Sequence, residues 1–234
     1  MTNKFFFILV LFSSYAFSQN SIGTWNVLNF NIKFDSKWGG FVETQLRSLS
    51  FYDEYHYYEY KVGATYKITE SFSATTGIGS YNTFAEGGNF ETPALNRETR
   101  TWLQANVKNK IGRALFENRF RLEQRFTSNG FRNRYRLRLG AVVPINNKVI
   151  KSGTLYANVW NEIFFTNREP FFERNRLLIG FGYEISKTIA VQAGYIYQFD
   201  YKINDETGRD FFNVALLYSI DLHKKSEYEQ STVD

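Results

Sequence analysis

Two neighbouring stretches decide the fold. Residues 115–126 read Leu115-Phe116-Glu117-Asn118-Arg119-Phe120-Arg121-Leu122-Glu123-Gln124-Arg125-Phe126, and residues 132–139 read Arg132-Asn133-Arg134-Tyr135-Arg136-Leu137-Arg138-Leu139. In both, charged residues occupy every second position. On a helix, at about 100° per residue, these charges would scatter around the axis, whereas on a strand they line one face. Each stretch therefore predicts a strand with one charged face and one largely apolar face.

The same period of two runs outward in both directions. Trp25–Phe34 sets Asn29, Asn31 and Lys33 against Leu28, Phe30 and Ile32. Phe41–Leu49 sets Glu43, Gln45 and Arg47 against Val42, Thr44 and Leu46, and Tyr55–Lys67 sets Glu59 and Lys61 against Tyr58, Tyr60 and Val62. Further strands are predicted near 72–84, 97–108, 154–165, 174–185, 189–203 and 211–222. This segmentation contains eleven strands, while single-chain barrels of bacterial outer membranes usually hold an even number, so ten to twelve is the expected range. Tight connections at Lys67–Glu70, Asn109–Arg113 and Ser186–Thr188 alternate with longer polar ones at Ala85–Asn96, Thr166–Glu173 and Asn204–Arg209.

Composition narrows the class. With 24 Phe, 16 Tyr and 4 Trp in 234 residues, the chain is too apolar to be disordered. The absence of cysteine excludes a disulfide scaffold, a zinc ribbon and a thiol nucleophile. A mean hydropathy of −0.39, with no run of about 20 apolar residues, excludes a bundle of membrane helices. Near the N-terminus, Lys4 precedes the apolar run Phe5–Phe12, and Ala16 and Ser18 fit a signal-peptidase site. Residues 1–18 are thus expected to be a cleaved export signal, which leaves a mature chain of formal charge +4 rather than +5.

Alternation alone does not say which way the apolar face points, because half-buried soluble sheets alternate too. Strands of about 11–14 residues, close to what a tilted membrane strand needs, point it outward. So do aromatic residues near the strand ends (Trp25, Trp38, Tyr55, Tyr57, Phe84, Phe126, Phe131, Phe171 and Phe172), placed as interfacial girdles would be. The expectation is an all-β chain: an antiparallel up-and-down transmembrane β-barrel over 19–222, in contact with outer-membrane lipid, with a polar tail over 223–234. A secreted soluble calyx with an apolar interior is the weaker alternative.

The sequence also resembles the DUF2490 family (domain of unknown function) of outer-membrane proteins of Gram-negative bacteria. The resemblance is carried by Trp25-Asn26-Val27-Leu28-Asn29-Phe30, Tyr55-His56-Tyr57-Tyr58-Glu59-Tyr60 and Arg125-Phe126-Thr127-Ser128-Asn129-Gly130, and by the stretches 161–167 and 201–208. It implies a barrel and an outer-membrane location, and brings no catalytic or ligand residues with it.

Signatures of chemistry are sparse. P-loop, His-Glu-x-x-His and Gly-x-Ser-x-Gly motifs are missing, and Gly77-Ile78-Gly79 lacks the third glycine of a dinucleotide loop. His56 shares the parity of Tyr58 and Tyr60, which reads as a lipid-facing girdle histidine rather than a hydrolase base. Asp205, Glu206 and Asp210 do not have calcium-loop spacing. The expectation is therefore no enzyme, no cofactor and no metal, and the period-two arginines match no nucleic-acid module.

The charged face is the candidate site. Parity sends Arg119, Arg121, Arg125, Arg132, Arg134, Arg136 and Arg138 into the lumen, together with Lys33, Arg47, Lys61, Arg100, Arg174, Arg176 and Lys202. The inward acids are Glu43, Glu59, Glu98, Glu117, Glu123, Glu162, Glu184 and Asp200, so cations exceed acids by six. One reading is a basic ladder guiding small anionic solutes through a narrow channel, since guanidinium stays charged and binds carboxylate or phosphate as a fork. The other is a non-conducting structural or partner-binding barrel, in which Glu117, Glu123 and Glu162 satisfy the arginines across strands. Both stay open at this level, and no protein partner can be named.

Overall fold

The computed structural model describes residues 22–203 and 205–223. The expected export signal lies outside the described residues, as does the expected tail beyond His223. Eleven strands form the fold: β1 (Gly23–Lys33), β2 (Trp38–Ser50), β3 (Asp53–Lys67), β4 (Phe72–Thr83), β5 (Asn96–Ile111), β6 (Ala114–Thr127), β7 (Gly130–Pro144), β8 (Leu155–Thr166), β9 (Phe172–Glu184), β10 (Ile189–Asp200) and β11 (Thr207–Asp221). They close into one barrel in which each strand pairs with its sequence neighbours and β1 meets β11.

That closing seam departs from the up-and-down expectation. β1 and β11 pair in parallel, from Gly23↔Phe211 to Lys33↔Asp221. Ten antiparallel steps, an even number, leave the last of eleven strands running in the direction of the first, so the seam must be parallel. The count is the eleven of the sequence segmentation, within the expected ten to twelve, and is odd. In consequence β1 starts at one end of the barrel, here the first rim, and β11 ends at the other, the second rim. The first rim carries the connections 51–52, 84–95, 128–129, 167–171 and 201–206, and the second carries 34–37, 68–71, 112–113, 145–154 and 185–188.

Tilt follows from the register. Stepping from partner to partner, Lys33 leads through Gly39, Thr65, Thr75, Gln104, Arg121, Arg136, Phe164 and Arg174 to Asp200. One circuit thus climbs from the second rim to the first, the stagger that a closed, tilted barrel requires.

The two faces are inverted relative to a water-soluble domain. Leu103 is 64% exposed and Phe181 57%, and Val42, Val62, Ile78, Phe120, Leu139 and Ile179 are exposed with them. Inside, Glu59, Glu98, Arg100, Arg121, Glu123, Arg125, Arg134, Glu162 and Arg176 are buried. Inward glycines make room for inward rings. A Cβ on Gly77 would sit 2.3 Å from the ring of its partner Trp102, and one on Gly182 2.2 Å from the ring of its partner Tyr156. At the second rim Asp35 accepts the backbone N–H of Lys37 and of Trp38, both at 2.7 Å. These bonds, that from Trp38 foremost, hold its carboxyl below the usual range.

Candidate functional site: the charged lumen

The β6–β7 hairpin sets the electrostatic problem. Its register places Arg119 opposite Arg138, Arg121 opposite Arg136 and Arg125 opposite Arg132, and only Glu123 faces an opposite charge, Arg134. Like charges directly across a pair of strands are destabilising. The hairpin cannot neutralise itself, so the acids must come from elsewhere.

They arrive from three other strands. Glu98 of β5 is paired with Arg125 and lies 2.8 Å from Arg100. Glu162 of β8 is paired with Arg119 and lies 2.9 Å from Arg136. Glu173 of β9 is paired with Arg134, and lies 3.1 Å from Arg125 and 3.5 Å from Arg132. At the centre Glu123, 0% exposed, takes Arg136 at 2.6 Å, Arg121 at 3.5 Å, Arg134 at 3.7 Å and Arg100 at 4.0 Å. Seven arginines (100, 119, 121, 125, 132, 134, 136) and four glutamates (98, 123, 162, 173) thus form one connected belt, with a formal surplus of three positive charges. Glu123 sits four residues before the end of β6 at Thr127, so the belt lies toward the first rim.

Aromatic rings fill the remaining space. Phe164, 1% exposed, has the guanidinium carbons of Arg136 and Arg176 at 4.6 and 4.8 Å from its ring centre. Trp25 lies between Arg47 at 3.4 Å and Arg176 at 4.8 Å, and Tyr81 lies under Arg100 at 3.7 Å. Desolvated cation–π contacts of this kind contribute about 2 kcal/mol each. They explain how Arg176 sits buried with Gln198 Oε1 at 2.8 Å and no carboxylate at ion-pair distance among the described residues.

A second cluster lines β1–β3. Lys61 bridges Glu43 and Glu59, Arg47 lies 3.4 Å from Glu59, and the Tyr57 hydroxyl donates to Glu59. Asn29 and Gln45 donate to Glu43 at 2.8 and 2.5 Å. Two cations meet two acids here, within adjacent strands.

The lumen encloses a cavity of about 870 Å³ whose lining reaches from Lys202 and Arg209 at the first rim to Asn31, Lys108 and Leu217 toward the second. Connection 84–95 folds toward the first mouth. Phe84 N–H donates to His56 O at 2.7 Å, Phe90 N–H to Tyr55 O at 3.0 Å, and Glu86 is paired with Arg209 of β11.

Several sequence expectations change. The seven ladder arginines do share the lumen, but six of them are ion-paired, and only Arg138 lacks a carboxylate at ion-pair distance among the described residues. Glu123 and Glu162 act as the expected partners, whereas Glu117 is paired with Lys108 at 2.7 Å. Trp25, Tyr57 and Phe84 are not girdle residues: all three are buried and line the lumen. His56 also lines the lumen rather than the outward face. The register shifts between Arg47 and Ser48, with Tyr57 and Tyr55 as their partners, which leaves His56 unmatched and breaks its parity with Tyr58. The same device acts on Glu173, the belt acid that parity missed. Phe164 pairs with Arg174 and Phe165 with Phe172, so a bulge turns Glu173 inward beside Arg174.

No curated protein and no solved structure matches the chain. The pattern of one family does, over residues 22–209, and the chain belongs to that family, described as a protein of unknown function, DUF2490.

Proposed function

We propose that this chain is an integral outer-membrane barrel whose lumen is closed to free ion flow by the arginine–glutamate belt. The observation that carries the reading is the inversion of polarity. Leu103, Phe181 and Ile179 face outward at 55–64% exposure while Glu123 is wholly shielded inside. In water that distribution is costly at both faces. In a bilayer the outward side chains meet hydrocarbon, and every strand of a closed barrel has its backbone paired. Three of the four longest connections, 84–95, 167–171 and 201–206, lie at the first rim and one, 145–154, at the second, which supports an orientation with the first rim outside the cell and the second toward the periplasm.

Fractionation tests the membrane reading. The protein is expected in the outer-membrane fraction, soluble only with detergent, and heat-modifiable on gels; a folded protein that stays soluble without detergent overturns it. Orientation is tested by thiol labelling, because the chain contains no cysteine of its own. An impermeant maleimide is expected to label Glu91→Cys on intact cells, and Lys187→Cys only after the outer membrane is opened. The reverse pattern inverts the orientation.

A conducting path for small anions is the second reading. It is favoured by the belt's positive surplus and by the cavity lining, which extends toward both rims. Planar-bilayer recording separates the two.

A further inference from the structure

The belt leaves one arginine pair under-compensated. Arg119 and Arg138 are direct partners across β6 and β7. Their shared neighbour Glu162 is taken by Arg119 on Oε1 and by Arg136 on both carboxylate oxygens. Among the described residues Arg138 has no carboxylate at ion-pair distance, and its guanidinium carbon lies 5.6 Å from the centre of the Trp160 ring. The Nε of Arg119 is buried with no hydrogen-bond partner. The remaining acid on this face, Glu117, is held by Lys108 at 2.7 Å. The next inward position on β7 toward the second rim is Gly140, where a Cβ would lie 3.1 Å from that of its partner Trp160, so the glycine lets Trp160 pack closely against the β7 backbone. Arg119, Arg138, Trp160, Asn106 and Asn158 all line the cavity.

We propose that Arg119 and Arg138 form an oxyanion site that takes the carboxylate or phosphate of a small hydroxylated solute entering from the second rim. Two adjacent guanidinium groups with free donors repel one another until an anion bridges them, and each offers a planar fork that matches carboxylate or phosphate oxygens. Asn106 and Asn158 supply amide groups for hydroxyls, and the Trp160 ring supplies an apolar wall. A neutral sugar finds no counterpart for the two charges. The inference rests on the belt dividing the lumen, so that this site is the end of a pocket rather than a point on a path.

Titration calorimetry on the detergent-solubilised full-length protein tests it, with inorganic phosphate, glucuronate and glucose as probes at fixed ionic strength. Saturable binding of phosphate or glucuronate, without binding of glucose, is expected. Whichever anion binds tighter names the preferred oxyanion. Arg138→Gln is expected to weaken that binding at least tenfold, with an unchanged or higher thermal midpoint because it relieves a like-charge pair. Arg119→Gln is expected to weaken binding comparably, and Arg209→Gln, at the first rim, to leave it unchanged. Glucose binding as tightly as glucuronate, no saturable anion binding, or anion binding indifferent to Arg138→Gln each overturns the site. Conductance in the parent protein would remove the belt's closure but would not alter these binding results, so the two failures are distinguishable.

Discussion

The lumen holds two charged clusters built on opposite principles. On β1–β3, Lys61 and Arg47 meet Glu43 and Glu59 on adjacent strands, and Asn29, Gln45 and Tyr57 complete the acceptors from the same neighbourhood. On β6–β7, three arginine–arginine pairs face one another, and compensation comes from Glu98, Glu162 and Glu173 on β5, β8 and β9. The first cluster is balanced once three consecutive strands are in place. The second is balanced only when five consecutive strands, β5 to β9, have come together. Local and distributed compensation can therefore coexist in one barrel, and they should respond differently to loss of a single acid.

Glu123→Gln is the most damaging expected change. It removes a fully shielded carboxylate from among four arginines, and breaking a buried charge set in this way costs about 3–5 kcal/mol. Glu59→Gln in the local cluster is expected to cost about 1–3 kcal/mol, since Lys61 keeps Glu43 and Arg47 keeps Gln45 at 2.8 Å. Urea unfolding of the two variants in detergent measures the difference, and equal losses would erase the distinction between the clusters.

Within the belt, Arg136→Gln is expected to cost about 3 kcal/mol, because it strips a partner from both Glu123 and Glu162. Arg138→Gln, two positions along the same face, is expected to cost nothing. Thermal unfolding read side by side sharpens the comparison to one strand. A loss at Arg138 as large as at Arg136 would mean that distance to a carboxylate does not decide the contribution.

Salt should act weakly on both clusters. Exposed pairs such as Lys33–Asp221 at the second rim contribute about 1 kcal/mol or less and are screened, whereas shielded pairs are screened far less. Raising sodium chloride to about 0.5 M, where screening is nearly complete within a few Å, is expected to move the thermal midpoint only slightly. A fall as large as that of Glu123→Gln would place the belt in water.

The smallest expected effect lies in a turn outside both clusters. The Asp35 carboxyl is depressed by backbone N–H donors, so its contribution is complete above its unfolded value of about 4 and is lost as pH falls through the lower folded value. Asp35→Ala is expected to lower the unfolding midpoint slightly at neutral pH and to match the parent once acid has protonated the carboxyl, which acid titration of the unfolding midpoint measures.

Period two made most of this legible. The alternation from Glu117 to Arg125 and from Arg132 to Arg138 fixed both strands and the inward direction of all seven arginines. Parity would also have placed Trp102, buried under Arg121, and Phe164 and Trp160, on either side of Glu162, as inward rings. It failed where the register slips by a residue. At the two bulges His56 and Glu173 turn inward, and without Glu173 the arginine excess looks larger than it is. A closed barrel was expected, but the register of its seam was not legible: the pairing of β1 with β11 joins residues nearly two hundred positions apart, and no local pattern encodes it. Which acids serve which arginines depends on that same closed geometry.

Single-channel recording in a planar bilayer tests closure by the belt most directly. The parent protein, inserted and folded, is predicted to give a flat trace under an applied potential, and to stay flat in a salt gradient. Stepwise, chloride-selective currents from the parent would contradict closure and would make the seven arginines a conducting wall.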